Sequence, residues 1–403
     1  MNFETANRAP VCAPDIVEQR VSAKPHVLTL TPFYPSDGDE VSGCFVAETL
    51  RQLESCGAES SVIAVDSIYH GRRHASQRSP ARWIRYPQIP GNFGLSSAGK
   101  FLGASLLKRV RQIHSRSPVS VIHAHAALPC GTAAAFLSQR LGIPFVVTIH
   151  GLDVFNRCFE NGIAARWRMN ASASVYKAAR KVICISDKVR RLLIENLEAK
   201  VRAEVVYNGT DTEVFSPGHT EPAPPKILIV GNLLAGKGQE LVLRAVAKLN
   251  HLCPDLQCDM IGDGADGERF ARLAADLRIS GQVHFLGRRS RSEVAAAMRN
   301  CTIFALPSRY EGLGCVYLEA MACARPVIAC RGQGIDEIID HGKNGWLIPV
   351  DNLDELVQGL KILLSSAELR ARIGESARDT ICHNLTLSHQ AQALMKIYEE
   401  AAL

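Results

Sequence analysis

Short apolar segments alternate with amphipathic segments along most of the chain. The first apolar segment, HVLTLT (26–31), is followed by a polar loop and by a segment of helical periodicity near 44–56. Further strands are predicted at SSVIAVD (60–66), SVIHAH (120–125), PFVVTIH (144–150) and KVICIS (181–186). Continuous apolar strands separated by helices are typical of a parallel sheet that is covered on both faces. The pattern therefore predicts a doubly wound α/β domain in the first half of the chain.

A second domain of the same kind is predicted after a proline-rich linker, NGTDTEVFSPGHTEPAPP (208–225). Its strands are predicted at KILIVG (226–231), LQCDMIG (256–262), QVHFLG (282–287), CTIFALP (301–307), PVIAC (326–330) and GWLIPV (345–350), and helices near 352–364, 366–381 and 386–402 end the chain. We expect domains at 1–212 and 213–382, and it stays open whether the last helix, about 383–403, packs back on the first domain. A ligand is expected in the cleft between them, at the carboxyl ends of the strands.

Composition supports a globular protein with two cores. The chain has 403 residues, of which 47% are apolar and 21% are charged, which excludes a disordered or fibrous protein. The net charge of +6 is uneven: residues 1–212 hold 26 Lys and Arg against 17 Asp and Glu, and residues 213–403 hold 20 against 23. The first half is therefore expected to meet an anionic partner.

Cysteine usage and the absence of long apolar runs predict a cytoplasmic protein. The thirteen cysteines show no CxxC spacing, and most lie inside apolar segments, as expected of reduced, buried thiols. The N-terminal segment has no apolar stretch typical of a secretory signal. No run of about 18 apolar residues is present, so no membrane-spanning segment is expected.

The strongest candidate site is the segment 308–322, where a loop joins a predicted strand to a predicted helix. Gly312 and Gly314 allow close approach of the backbone to a ligand, and the free N–H groups of a helix start favour a phosphate. Glu311 lies in the loop, and the carboxylate of Glu319, about one and a half turns into the helix, could accept hydrogen bonds from two ribose hydroxyls. The spacing alone is equally consistent with a capping Glu311 and an ordinary helical Glu319.

This segment, EGLGCVYLEAMACARPVIA, resembles the Glu-x7-Glu motif of retaining GT-B glycosyltransferases, notably glycosyltransferase family 4. The resemblance extends through PFYPSDGDEVSGCFVAE (32–48), VIHAHAALPCG (121–131), VVTIHGLDVF (146–155), VVYNGTDTEVFSP (205–217), ILIVGNLLAGKG (227–238), MIGDG (260–264) and GKNGWLIPVDN (342–352). It implies two Rossmann-like domains, an N-terminal one that binds the acceptor and a C-terminal one that binds a nucleotide diphosphate sugar.

The resemblance assigns roles within the Glu-x7-Glu motif. It places Glu311 beside the transferred sugar as a catalytic residue and Glu319 on the ribose. Gly312, Leu313 and Gly314 are implied to contact the donor.

Further roles follow from matching positions elsewhere. His150 is implied to contact the donor sugar, Asp153 to lie in the acceptor region, and Lys237 to neutralise the diphosphate leaving group. Gly43 is implied to approach the donor phosphates at the start of the first helix. His123 and His125, which share one face of a predicted strand, are interpreted as supporting residues.

Two positions depart from the family pattern. Asn232 stands where the family usually has an arginine, five residues before Lys237, so that one positive charge of the expected phosphate-binding site is missing. Asn232 can still donate a hydrogen bond, and we expect it to contact the donor. Ala324 stands where glycine is common, and we expect this difference to affect packing only.

No metal, cofactor or nucleic acid is expected, and the nucleotide diphosphate sugar is a co-substrate. Asp37-Gly38-Asp39 has the Asp-x-Asp spacing that binds a divalent metal in GT-A glycosyltransferases, but it lies in a turn-like loop of a chain that otherwise resembles GT-B enzymes. The nearest alternative enzyme is a sugar-nucleotide epimerase, and the alternative outside enzymology is a nucleotide-sugar-binding scaffold that has lost catalysis.

The resemblance of the first segment to bacterial members that build exopolysaccharide or teichuronic-acid-type polymers suggests a sugar or a lipid-linked oligosaccharide as acceptor. Basic stretches at 69–86 and 99–116 then suggest peripheral binding to the inner face of the cytoplasmic membrane. In the second stretch, Leu102, Leu106, Val110 and Ile113 recur at helical spacing among Lys and Arg residues. The alternative is that this apolar stripe packs on the sheet of the first domain.

Overall fold

The computed structural model describes residues 24–37, 39–69, 80–88, 94–151, 162–197, 201–218 and 222–403. Within them the chain forms two parallel sheets flanked by helices. This α/β arrangement of two doubly wound sheets confirms the predicted fold class.

The N-terminal sheet has seven strands in the order β3-β2-β1-β4-β5-β6-β7. They are β1 (His26–Thr31), β2 (Glu59–Ser67), β3 (Arg82–Tyr86), β4 (Val121–His125), β5 (Phe145–Ile149), β6 (Lys181–Cys184) and β7 (Ala203–Val205). The C-terminal sheet has six strands in the order β10-β9-β8-β11-β12-β13. They are β8 (Lys226–Val230), β9 (Gln257–Ile261), β10 (Val283–Gly287), β11 (Ile303–Ala305), β12 (Val327–Cys330) and β13 (Trp346–Ile348).

The α-helices of the described residues connect these strands and end the chain. They are α1 (Cys44–Ser55), α2 (Gly94–Arg116), α3 (Thr132–Leu141), α4 (Ile163–Ala178), α5 (Asp187–Leu197), α6 (Gln239–Leu249), α7 (Gly267–Asp276), α8 (Arg291–Arg299), α9 (Cys315–Ala322), α10 (Leu353–Ser365), α11 (Ala367–Asn384) and α12 (Leu387–Ala402). The three helices predicted at the end of the chain are α10, α11 and α12.

Every strand that the apolar segments predicted is present, because the central strands are buried on both faces. β1, for example, is buried at all six of its residues. The sequence pattern missed β3 and β7, which lie at the two edges of the N-terminal sheet. β3 contains two arginines and is buried only at Tyr86, and β7 has only three residues, each partly buried. These two edge strands lack the continuous apolar run that identifies a central strand.

The order of strands reverses between β1 and β4 and again between β8 and β11. In open α/β sheets, loops diverge at such a switch point and leave a crevice at the carboxyl ends of the strands. The loop before α1 and the segment after β4 flank the first switch point. The loops that hold Lys237 and Glu311 flank the second.

The last helix returns to the N-terminal sheet. The chain leaves α11 at Leu385, whose carbonyl accepts a hydrogen bond from the backbone of Thr210 in the connecting segment. α12 then packs its buried face, which includes Leu394, Ile397 and Tyr398, with α1 and the strands of the first domain. The C-terminal helix therefore contributes side chains to the N-terminal half of the molecule.

The apolar stripe of α2 belongs to the core. Leu102, Leu106 and Val110 are completely buried, and Gly99 and Gly103 allow close contact with Thr132 and Phe136 of α3. The expectation that this stripe could lie on lipid is therefore wrong. The stripe packs inside the domain, and the opposite face of the helix, which carries Lys100, Lys108 and Arg111, is accessible.

Ala324 adopts a left-handed backbone conformation, with φ of 55°, directly after α9. An L-residue there places its Cβ too close to its own backbone, at a cost of about 1–2 kcal/mol. The expectation that Ala324 affects packing only is therefore wrong, since the position selects glycine through the backbone.

Candidate active site

The carboxyl ends of the two sheets meet through direct contacts. The Ser186 hydroxyl, after β6, donates to the carbonyl of Gly312 at 2.6 Å. A Cβ atom built on Gly312 would lie 3.1 Å from the carbonyl oxygen of His150, so glycine permits the close approach of the loop after β11 to the loop after β5. These contacts bring His150 and the Glu-x7-Glu segment together in one cleft.

Lys237 and Glu311 form an ion pair at the second switch point. Lys237 lies in the turn between β8 and α6, and its Nζ atom is 2.8 Å from Oε2 of Glu311, in the loop after β11. The backbone N–H of Glu311 donates to the side-chain carbonyl of Gln333 at 3.0 Å, which fixes the loop. The pair therefore places a cation and an oriented carboxylate side by side at the carboxyl ends of β8 and β11.

Glu319 is buried in α9 and presents one unpaired oxygen. Its side chain is 4% exposed, and Arg291 donates to Oε1 at 2.5 Å. Among the described residues, Oε2 has no hydrogen-bond partner. Buried carboxylate oxygens are rarely left unpaired, so this atom is suited to accept a hydrogen bond from a ligand hydroxyl. One oxygen of Glu319, rather than both, is therefore available to a ligand in this conformation.

Arg291 links Glu319 to the N-terminal domain. Its guanidinium donates to Oε1 of Glu48 at 2.9 Å and to Oε2 at 2.8 Å, a two-point pairing with a residue of α1. It also lies 4.6 Å from the ring centre of Phe215. Burial would lower the pKa of Arg291, but the neighbouring carboxylates raise it above its ordinary value. Arg291 therefore stays charged and connects α9 of the C-terminal domain to α1 of the N-terminal domain.

His150 lies in an aromatic environment directly after β5. Its ring centre is 5.4 Å from that of Phe33 and 5.1 Å from that of Phe45. Its Nε2 is 2.9 Å from Nδ1 of His125. Burial lowers the pKa of His150 to about 4. The ring is therefore neutral near pH 7 and suited to hydrogen bonding rather than to holding a positive charge.

Two glycine-containing turns precede helices at the cleft. Gly43 precedes α1 with φ of 76°, and Gly314 precedes α9 with φ of 81°, both left-handed conformations that favour glycine. Between Gly312 and Gly314, the Leu313 side chain is fully buried in the core. Only the backbone of Leu313 can therefore contact a donor.

Other predicted residues have different surroundings. Asn232 is exposed after β8, and its carbonyl accepts from Nε2 of Gln239 at 2.8 Å. Asp39 pairs with Arg288 at 2.6 Å, across the two domains, and accepts from the backbone of Ser42. Asp153 and Gly38 lie outside the described residues.

The sequence prediction missed Arg291 and Glu48. The available signals were weak: Arg291 opens a helix that begins four residues after the end of β10, and Glu48 lies on the buried face of α1. Their pairing joins residues far apart along the chain, which periodicity cannot reveal.

The described residues contain neither a metal-binding cluster nor a membrane-spanning helix. No group of three or more His, Cys, Asp or Glu side chains in these ranges is arranged to hold a metal ion. No helix within the same ranges is long and apolar enough to cross a membrane.

Comparison with known proteins identifies the family. The family model for "Glycosyl transferases group 1" matches residues 211–380, and that for "Glycosyltransferase Family 4" matches residues 43–214. An uncharacterized glycosyltransferase of Methanocaldococcus jannaschii is 32% identical over 305 residues, covering 75% of this chain and 82% of that protein. The D-inositol 3-phosphate glycosyltransferase of Corynebacterium jeikeium is 33% identical over 305 residues, covering 70% of this chain and 72% of that protein.

Solved structures of other proteins have a similar fold. The crystal structure of Anabaena HepE in complex with UDP-glucose has a TM-score of 0.70 and 18% identity, with 93% of this chain and 99% of that chain covered. The chain belongs to the group 1 glycosyltransferases of family 4 and has the GT-B fold. It is a glycosyltransferase that uses a nucleotide-sugar donor.

Proposed function

We propose that the enzyme transfers a sugar from a nucleoside diphosphate sugar to an acceptor hydroxyl with retention of anomeric configuration and without a metal ion. The observation that carries this proposal is the Lys237–Glu311 pair, which lies in the same cleft as His150 and the unpaired oxygen of Glu319. A UDP-sugar is the first donor to test, because HepE was crystallised with UDP-glucose.

The proposed donor-binding mode divides the cleft into three parts. Oε2 of Glu319 accepts a hydrogen bond from a ribose hydroxyl. Lys237 and the start of α9 stabilise the diphosphate. Glu311 and His150 contact the sugar.

The proposed chemistry occurs on one face of the sugar. The bond from the anomeric carbon to the diphosphate oxygen breaks, the acceptor oxygen bonds to the same carbon, and the acceptor proton passes to the leaving diphosphate. Such a reaction needs positioning and charge stabilisation more than a strong protein base. A neutral His150 and a cationic Lys237 satisfy this requirement.

Asn232 lowers the positive charge available to the diphosphate. Its exposed position beside the Lys237 turn is compatible with a hydrogen bond to a phosphate oxygen. We expect Asn232→Arg to leave turnover unchanged or raise it slightly, whereas a large loss would assign Asn232 another role.

We propose a sugar or lipid-linked oligosaccharide acceptor of bacterial cell-surface polysaccharide synthesis, reached from an anionic membrane surface. The resemblance of residues 32–48 to polysaccharide-building members supports the acceptor class. The exposed Lys100, Lys108 and Arg111 on α2, together with the exposed Phe101, support the surface. The inositol phosphate relative favours a small phosphorylated acceptor as the alternative.

Vesicle sedimentation tests the membrane proposal. The protein should bind vesicles that contain anionic lipid, bind neutral vesicles weakly and dissociate as salt screens the attraction. Replacing Lys108, Arg109 and Arg111 together with Glu should abolish binding without unfolding the protein. If the wild-type protein does not bind anionic vesicles at low salt, the result would favour a soluble acceptor.

Product analysis tests the reaction. NMR of the product should show the same anomeric configuration as the donor, and activity should persist in EDTA. An inverted product contradicts retention, and a sharp loss in EDTA contradicts metal independence. Conversion of the donor without acceptor would instead indicate an epimerase, and donor binding with no transfer to any acceptor would indicate an inactive scaffold.

A further inference from the structure

Three histidines lie together on neighbouring strands of the N-terminal sheet. In the register of β4 and β5, His123 is opposite Val146 and His125 is opposite Thr148. His150 follows Thr148 by two residues, so its side chain emerges on the same face of the sheet, beside His125. His123 and His125 are both buried.

The His125 and His150 rings share one plane. Nδ1 of His125 is 2.9 Å from Nε2 of His150, the ring planes differ by 11°, and the ring centres are 5.2 Å apart. Each nitrogen lies close to the centre of its own ring. Ring centres 5.2 Å apart are therefore compatible with nitrogens 2.9 Å apart only if both nitrogens lie close to the line that joins the ring centres. The contact is therefore an in-plane N–H···N hydrogen bond, the geometry that most strongly restricts rotation of both rings.

The ring of His123 packs against the ring of His125. Their ring centres are 4.4 Å apart with an interplanar angle of 29°. Nδ1 of His123 is 2.8 Å from the Tyr398 hydroxyl of α12, and its Nε2 is 2.7 Å from the Thr148 hydroxyl. Both nitrogens of His123 thus have hydrogen-bond partners within the protein, and its fixed ring restricts the position of the His125 ring.

All three rings are neutral near pH 7. Burial lowers the pKa of His123 to about 3 and that of His150 to about 4, and it lowers the pKa of His125 well below its ordinary value. Between two neutral imidazoles the hydrogen bond contains one proton, so its position determines the tautomer of each ring. It also determines whether Nδ1 of His150, which this bond does not use, donates or accepts a hydrogen bond.

We infer that His125 is a positioning residue that fixes the ring orientation and the tautomer of His150, and that His123 and Tyr398 hold His125 in place. The inference rests on the proposed function where it concerns catalysis, because His150 is the residue proposed to contact the donor sugar. It assigns a specific role to His125, which the sequence analysis interpreted, together with His123, only as a supporting residue.

A matched pair of substitutions tests the inference. The amide of His125→Asn can occupy the position of Nδ1 and pair with His150, whereas the longer His125→Gln places the same amide near the position of Nε2. The full-length protein is labelled with 15N-histidine, and the His150 signals are assigned by comparison with His150→Ala.

Wild type and His125→Asn should each show one fixed neutral tautomer of His150. His125→Gln should show exchange between tautomers. Identical His150 signals in all three proteins would overturn the inference.

Kinetics supply a second readout. We expect His125→Gln to lower kcat by up to about a hundredfold, the loss that a small misplacement of a reacting group can cause, without changing the affinity for free UDP. His125→Asn should recover most of the activity. In the His150→Ala background, His125→Gln should cause no further loss, and a further loss of similar size would contradict the inference.

The two proposals fail differently. Wild-type turnover in His150→Ala would remove His150 from the proposed function. The tautomer comparison would still decide whether His125 orients His150.

Discussion

The Lys237 ammonium lies 2.8 Å from the Glu311 carboxylate and joins the loops that follow β8 and β11. These are the two strands between which the order of the C-terminal sheet reverses. The side chains are 30% and 15% exposed, so both are accessible to a ligand while they orient each other. The pair defines where the diphosphate and the sugar of the donor are expected to meet.

The first prediction concerns Lys237→Ala, which should lower turnover strongly while the fold stays intact. Removal of one preorganised charged group that stabilises a developing oxyanion costs about 3–4 kcal/mol, or roughly a hundred- to a thousandfold in rate. Steady-state kinetics measure the effect. Lys343→Ala, at an exposed lysine 3.5 Å from Asp340, is the control and should retain activity. Equal turnover in wild type and Lys237→Ala would remove Lys237 from the mechanism.

The second prediction concerns Glu319→Gln, which should weaken binding of free UDP as well as of the UDP-sugar. The neutral amide is a poorer acceptor for a ribose hydroxyl, and a hydrogen bond to a charged group contributes about 1.5–3 kcal/mol, so a loss of about tenfold or more is expected. Calorimetric titration measures both affinities. His150→Ala should weaken only the sugar donor.

Glu48→Gln is the matched control, since it removes the other carboxylate partner of Arg291. It should leave UDP affinity near that of wild type. An equal loss in Glu48→Gln and Glu319→Gln would show that the effect passes through Arg291 rather than through the ribose.

The third prediction is a loss of stability in acid that depends on the buried histidines. Burial lowers the pKa of His150 from 6.5 to about 4, so between these values the unfolded state binds more protons than the folded state. The contribution to the free energy of unfolding therefore decreases as the pH falls below 6.5, by up to about 1.4 kcal/mol per pH unit for each such histidine.

Urea unfolding between pH 7 and pH 5 measures this dependence. The free energy of unfolding of His150→Gln should depend less steeply on pH than that of wild type. Parallel curves for the two proteins would contradict a neutral His150.

The fourth prediction concerns Ala324→Gly, which should raise the free energy of unfolding by about 1 kcal/mol because glycine adopts the left-handed conformation without strain. Thermal denaturation measures the change. Ala320→Gly, inside α9, should have the opposite effect, since glycine weakens a helix interior. A lower Tm for Ala324→Gly than for wild type would show that the methyl group contributes more through packing than the backbone loses.

The fold was predictable where burial leaves a local signal. β1 and β4 are buried at every residue, and a run of apolar residues identifies such a strand without knowledge of its neighbours. The edge strand β3 gave no such signal, because its accessible face admits arginines. α2 was predictable as a helix, but its periodicity could not show whether the apolar stripe faces a protein core or a lipid surface.

The candidate site was predictable only in part, because its key contacts join residues that are far apart along the chain. The resemblance to the Glu-x7-Glu motif indicated Glu311 and Glu319, although their spacing alone did not decide between a site and an ordinary helix. The pairing of Glu319 with Arg291 joins two helices of the C-terminal domain, and the pairing of Arg291 with Glu48 depends on how the two separate sheets face each other. The role of Tyr398 beside His123 likewise depends on the return of the last helix to the first domain.

The most direct measurement is the release of nucleoside diphosphate from a panel of UDP-, GDP- and ADP-sugars, with and without candidate acceptors, by wild type and Lys237→Ala. The account predicts that one donor releases its nucleoside diphosphate rapidly only when an acceptor is present, that a glycosylated acceptor appears in equal amount, and that Lys237→Ala is slower by at least about a hundredfold. Release by wild type and Lys237→Ala at the same rate, or release from a bound donor without any glycosylated product, would contradict it.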